Sequence, residues 1–127
     1  MLYVKESRES LEQVTAKLEA ATAENKFGIL GVHDLKGKMI EKGVPFDHEC
    51  RIFEVCNPLQ AKKVLDADMS IANALPCRIC VYEQDGRVFV STIRPTFMLD
   101  LFHNKELAGV AREVEDTMIR IIDASCR

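Results

Sequence analysis

The sequence predicts an α+β fold of two layers, in which an antiparallel sheet of about five strands has its helices packed on one face. Two observations favour this class. Strand-like and helix-like segments follow one another in β-α-β4-α order, and the long helical patterns lie near the two ends of the chain. Two of the strand-like segments flank Asp85-Gly86, a dipeptide typical of the two-residue turn in an antiparallel hairpin.

The first half of the chain is expected to supply two strands and two helices. Leu2 to Val4 is predicted as a short strand, and apolar residues at spacings of three and four predict an amphipathic helix between Ser7 and Asn25. Ser10 is placed to cap the start of this helix. A second strand is expected from Phe27 to Val32, and a short helix then runs from the Asp34 cap to Gly43.

The second half begins with a third strand, expected from Cys50 to Cys56. Asn57 is a suitable helix cap and is followed by a proline, which fits the first helical position, so a helix is predicted from Pro58 to Leu65. A short helical turn is expected at Ser70 to Leu75. After the hairpin, a long amphipathic helix is predicted to begin at Asn104 and to reach the end of the chain.

The hairpin strands, Arg78 to Gln84 and Arg87 to Ile93, fix which residues lie opposite each other. A two-residue loop places Val81 opposite Val90, so this face is aliphatic and is expected to be the core that the helices cover. The other face is mixed, and aromatic patches of this kind usually mark interfaces. It is predicted to form a dimer contact or a ligand wall from Cys80 opposite Ser91 and from Tyr82 opposite Phe89.

Composition excludes several classes of function. The formal charge is −3, with 17 basic and 20 acidic residues interspersed along the chain, so nucleic acid is not an expected partner. Apolar runs such as Val88 to Ile93 are far shorter than the ~20 residues that cross a membrane. Met1 to Glu6 contains no apolar signal segment, so we expect a cytoplasmic protein. The length of 127 residues predicts a single domain over residues 1–127.

Neither a cofactor nor a metal is predicted. His33, His48 and His103 lie far apart in the sequence, and no pair of ligands is matched by a second pair at the spacing of a zinc site. The sequence contains neither a P-loop nor the glycine pattern of a dinucleotide-binding fold. The expected ligand, a small molecule or an anion, is instead indicated by the predicted helix start at Asn57-Pro58.

Five cysteines without an export signal predict free thiols. Cys56 precedes the predicted helix start, where the helix dipole favours a thiolate of lowered pKa. In a meander, the end of the third strand, the start of the fourth and the end of the fifth share one edge. This edge is expected to bring together Cys56, Asn57, Cys77 and Arg94. The alternative is that Cys56 and Cys77 are small apolar residues of the core.

Four segments together are typical of one family: Phe27-Gly-Ile-Leu-Gly-Val-His-Asp-Leu, Phe53-Glu-Val-Cys-Asn-Pro, Leu75-Pro-Cys-Arg-Ile-Cys-Val-Tyr-Glu and Ile93-Arg-Pro. From about Phe27 to the end of the last helix, the chain resembles the family called domain of unknown function 302. The resemblance implies a β-α-β4-α arrangement similar to the TATA-binding-protein-like fold, and a homodimer. It implies no activity, because the family has none that is settled.

Three functions stay open. The first is a homodimeric module that binds a small molecule or an anion at the Asn57-Pro58 helix start, because the N–H groups of a helix start bind anions. Cys56, Cys77 and Arg94 would form the wall of that site. The second is a thiol-dependent enzyme or a sulfur or redox carrier, with Cys56 as nucleophile and Cys77 as resolving thiol. The third is a structural domain that binds a partner through the Tyr82/Phe89 face.

Overall fold

The computed structural model describes every residue from Met1 to Arg127. The five strands are β1 (Leu2–Ser7), β2 (Gly28–Asp34), β3 (Cys50–Cys56), β4 (Cys77–Gln84) and β5 (Arg87–Ile93). The five α-helices are α1 (Leu11–Glu24), α2 (Leu35–Glu41), α3 (Pro58–Ala67), α4 (Pro95–Asp100) and α5 (Ala108–Ser125). Two 3₁₀ turns are present, at Met69–Ala74 and at Lys105–Leu107. None of the helices combines the length and the apolar surface that a bilayer crossing needs.

The five strands form one antiparallel sheet in the order β1-β5-β4-β3-β2, which confirms the predicted α+β class. The hairpin turns at Asp85 and Gly86, which both have positive φ as this turn requires. The predicted register is also confirmed, with Val81 opposite Val90, Cys80 opposite Ser91 and Tyr82 opposite Phe89.

The aliphatic face of the sheet lies under α1 and α5. Val81 and Val90 have no exposed surface, and they pack in one cluster with Leu18 of α1 and Ile121 of α5, which are equally buried. Complete burial of an aliphatic side chain of this size stabilises the folded state by about 1.5–3 kcal/mol. This cluster of 15 buried residues is the main core, and it fixes which face of every strand points inward.

A second, smaller cluster joins the remaining helical segments. It brings α3, both 3₁₀ turns and α4 against the first turn of α5, through the buried residues Val64, Ile71, Leu99, Leu107 and Ala111. These segments therefore close the end of the sheet at which β3 finishes and β4 begins.

Three of the four predicted helix starts carry the expected caps. Ser10 and Gln13 form a capping box at α1, and the Asp34 and Asn57 side chains cap α2 and α3. Asn104 caps a 3₁₀ turn rather than α5 itself, so the long final helix begins at Ala108 instead of directly after Asn104.

Helix α4 was not predicted from the sequence, and its cap comes from a distant residue. Glu115 of α5 is only 6% exposed, and its Oε1 accepts hydrogen bonds from the backbone N–H (3.1 Å) and the hydroxyl (2.6 Å) of Thr96. Its Oε2 accepts one from Nη1 of Arg94 at 3.4 Å. Burial by itself raises the pKa of Glu115, but the hydrogen bonds from Thr96 and the charge of Arg94 outweigh it and hold the pKa below its ordinary value.

We expect Glu115→Gln to lower the free energy of unfolding at pH 7 by about 1–3 kcal/mol, because a charged acceptor of buried hydrogen bonds is lost. Since the pKa of Glu115 is lowered in the folded state, its contribution is complete above the ~4.3 of an unfolded glutamate and disappears as the pH falls through the folded pKa. Urea unfolding followed by circular dichroism should therefore show a difference between wild type and variant that shrinks below about pH 4.

Glu113→Gln is the matched control, because Glu113 is exposed on the same helix. It should change the stability by no more than about 0.5 kcal/mol. Equal stability of wild type and Glu115→Gln at pH 7 would contradict the role of Glu115 as the cap of α4.

Candidate functional site

A cavity lies at the end of the sheet where β3 and β5 finish and β4 begins. It is enclosed by α3, the 3₁₀ turn Met69–Ala74 and α4, and its volume is about 220 Å³. Among the residues that line it, Ala61 comes from α3, Ala74 from the turn and Met98 from α4. The sheet thus supplies one wall, and the helices of the second cluster supply the others.

Several residues that the sequence singled out line this cavity. Cys56 and Asn57 come from the end of β3, and Cys77 comes from the start of β4. Cys80 lies three residues further along β4. Pro58 is exposed as the first residue of α3 and does not line the cavity.

Arg94 lies elsewhere. Its Nη1 is 3.4 Å from Oε2 of Glu115, and its guanidinium carbon is 5.3 Å from the centroid of the Tyr3 ring. The arginine that does line the cavity is Arg78, which sequence analysis missed. Strand alternation was the signal that could have found it, because Arg78 shares a face with Cys80 and lies two residues closer to the end of the sheet.

The N–H groups in the first turn of α3 have their partners within the chain. Oδ1 of Asn57 accepts hydrogen bonds from the N–H groups of Leu59 (3.0 Å) and Gln60 (3.1 Å), and the Asn57 carbonyl accepts one from Ala61 at 2.9 Å. Pro58 has no N–H group. The donors of this helix start are therefore all satisfied within the chain, and an anion placed here would have to displace the Asn57 side chain.

Burial, rather than the helix dipole, determines the state of the thiols. Burial, and to a smaller extent the neighbouring Cys56, raises the pKa of Cys77 to about 11. Burial also raises the pKa of Cys56, which is the opposite of the direction expected from its place before a helix. At neutral pH both side chains are therefore protonated thiols.

The mixed face of the sheet, opposite α1 and α5, carries the Tyr82/Phe89 pair. The two rings stack with their centroids 5.6 Å apart and their planes at 24°. Further along this face, Nε2 of His33 is 2.9 Å from Oε1 of Glu54 on the neighbouring strand. The use of this face in a homodimer or by another partner stays a prediction.

Comparison with known proteins shows the family of this chain and a solved structure to which it is similar. The family model described as "Domain of unknown function DUF302" matches residues 3–125. The crystal structure of an uncharacterized conserved DUF302 protein from Bacillus stearothermophilus is similar over 99% of this chain and 98% of that one, with 27% sequence identity and a TM-score of 0.94. No curated protein matches the chain.

The raised pKa values predict how the thiols react. In the folded protein at pH 7, Cys56 and Cys77 should react with iodoacetamide far more slowly than in urea, because little thiolate is present. The reaction should accelerate only above the ~8.5 of a free thiol, when the thiolate begins to form. Mass spectrometry of each cysteine over a range of pH measures this, and an apparent pKa of Cys56 well below 8.5 (the ordinary value, roughly) would contradict it.

Proposed function

We propose that this chain, which belongs to the domain of unknown function 302 family, binds a small and mostly apolar molecule in the cavity at the end of its sheet. The observation that carries the proposal is the composition of the cavity wall. Hydrophobic residues make up 14 of the 22 that line it, so the free energy of binding would come from the transfer of apolar surface out of water.

The size of the cavity limits the ligand. Apolar cavities of about 150 Å³ hold a benzene molecule. A volume of about 220 Å³ therefore has room for one ring or for a short chain, and it is too small for a nucleotide or another large cofactor.

One polar group of the wall lacks a partner. Gln60 lines the cavity, and its Oε1 is buried without a hydrogen-bond donor. An unpaired buried acceptor costs about 1–3 kcal/mol. Because this oxygen has no accessible surface, a ligand donor would reach it only if the Gln60 side chain turned towards the cavity.

The composition of the wall favours binding over thiol chemistry. No histidine, aspartate or glutamate lines the cavity, so no side chain there is placed to take a proton from Cys56 or Cys77. Protonated thiols are weak nucleophiles and pack as small apolar groups. Both cysteines therefore fit the wall of a binding site better than the centre of a reaction.

The proposal predicts that 1-hexanol enters the cavity. In an NMR titration of the protein, the methyl signals of Met98 and Ala74 should shift and saturate, while that of the exposed Met1 should not move. Ala61→Phe should weaken binding by roughly tenfold or more, because the new ring occupies the same space.

Ala67→Phe is the matched control, since Ala67 lies on the same helix but is exposed. It should leave the titration unchanged. The absence of saturable shifts in the wild-type protein would overturn the proposal, and unchanged binding in Ala61→Phe would place the ligand outside the cavity.

A further inference from the structure

We infer that the ligand of this cavity is a monocarboxylate, a short apolar chain or ring with one carboxylate group, and that Arg78 binds that group. The inference rests on the proposed function of the cavity and adds the chemical class of its ligand. It assigns the role in ligand recognition to Arg78 instead of Arg94.

Arg78 is the only charged residue among those that line the cavity. All the other lining residues are apolar or are neutral polar groups, and none of them is acidic. A ligand cation would therefore meet repulsion from the guanidinium and no compensating carboxylate. A ligand anion would meet one positive charge beside apolar walls, where water screens the attraction less than in bulk solvent.

The guanidinium of Arg78 is largely free to bind a ligand. It makes a single long ion pair, with its Nη2 at 4.0 Å from Oε2 of Glu54. Glu54 is already held on its other oxygen by His33, at 2.9 Å. Arg78 lines the cavity and its side chain is 63% exposed, so its planar set of donors can turn to the mouth of the cavity and donate to both oxygens of a carboxylate.

The surroundings limit the ligand to one negative charge. A phosphate or a dicarboxylate would bring a second charge, and the N–H groups of Leu59, Gln60 and Ala61 at the start of α3 are taken by Asn57. Glu54 beside Arg78 would also repel that second charge. A ligand with a single carboxylate at Arg78 and its apolar part inside the cavity needs no further backbone donor and brings no second charge near Glu54.

The test compares three molecules with the same six-carbon chain: hexanoate, 1-hexanol and hexylamine. Each is titrated at pH 7 into the wild-type protein, and binding is followed at the methyl signals of Met98 and Ala74. Hexanoate should bind roughly tenfold more tightly than 1-hexanol, as expected for a hydrogen bond between two charged groups. Hexylamine should bind most weakly.

Two substitutions on opposite sides of the same ion pair should act in opposite directions. Arg78→Gln should bring the ratio of the hexanoate and 1-hexanol dissociation constants close to one. Glu54→Gln should tighten hexanoate by roughly two- to fivefold, because a competing carboxylate beside Arg78 is removed. Arg87→Gln is the matched control, since this arginine is on the same strand pair but faces Glu6 at the far end of the sheet, and it should not change the ratio.

The outcomes separate the two proposals. If 1-hexanol binds in the cavity but hexanoate binds no more tightly, or if Arg78→Gln leaves the ratio unchanged, the monocarboxylate inference is wrong and the cavity remains a site for apolar molecules. If none of the three molecules shifts the Met98 and Ala74 signals, the proposed function itself fails.

Discussion

Burial of one face of the sheet under α1 and α5 is the constraint on which the rest of the structure depends. Val81 and Val90 lie opposite each other with no exposed surface, and the turn at Asp85-Gly86 sets this pairing. A slip of β4 by one residue against β5 would turn Val81 away from the helices and move Cys80 and Tyr82 into the core. The register between β4 and β5 therefore determines which residues pack in the core and which face the cavity or the surface.

The cavity results from the way in which α3 and α4 pack. Since α1 and α5 cover the aliphatic face, α3 and α4 bury their apolar side chains against the first turn of α5, beyond the end of the sheet. Glu115 fixes α4 there by accepting the hydrogen bonds of Thr96. Two separate clusters meet at this end without filling the space between them, and that space is lined by Cys56 and Cys77.

The sequence predicted what depends on local signals and missed what depends on distant contacts. The hairpin register and the Asn57 cap follow from neighbouring residues, and the structure agrees with both. Helix α4 has no cap of its own, and its partner Glu115 lies about twenty residues away in sequence, so no local pattern indicates it. Arg94 was expected at the edge of the sheet beside Cys56 and Cys77, but β5 ends at Ile93 and the Arg94 side chain pairs with Glu115. Burial, which raises the pKa of Cys56, depends on the same tertiary packing.

Xenon is the most direct test of the claim that the end of the sheet holds a site for an apolar molecule, because xenon occupies apolar cavities of this size without chemical recognition. Crystals of the protein should be pressurised with xenon and compared with untreated crystals. We expect a xenon peak in the anomalous map between Cys77, Ala74 and Met98. Ordered water molecules bound to Gln60 in that space, with no xenon, would contradict the proposed function.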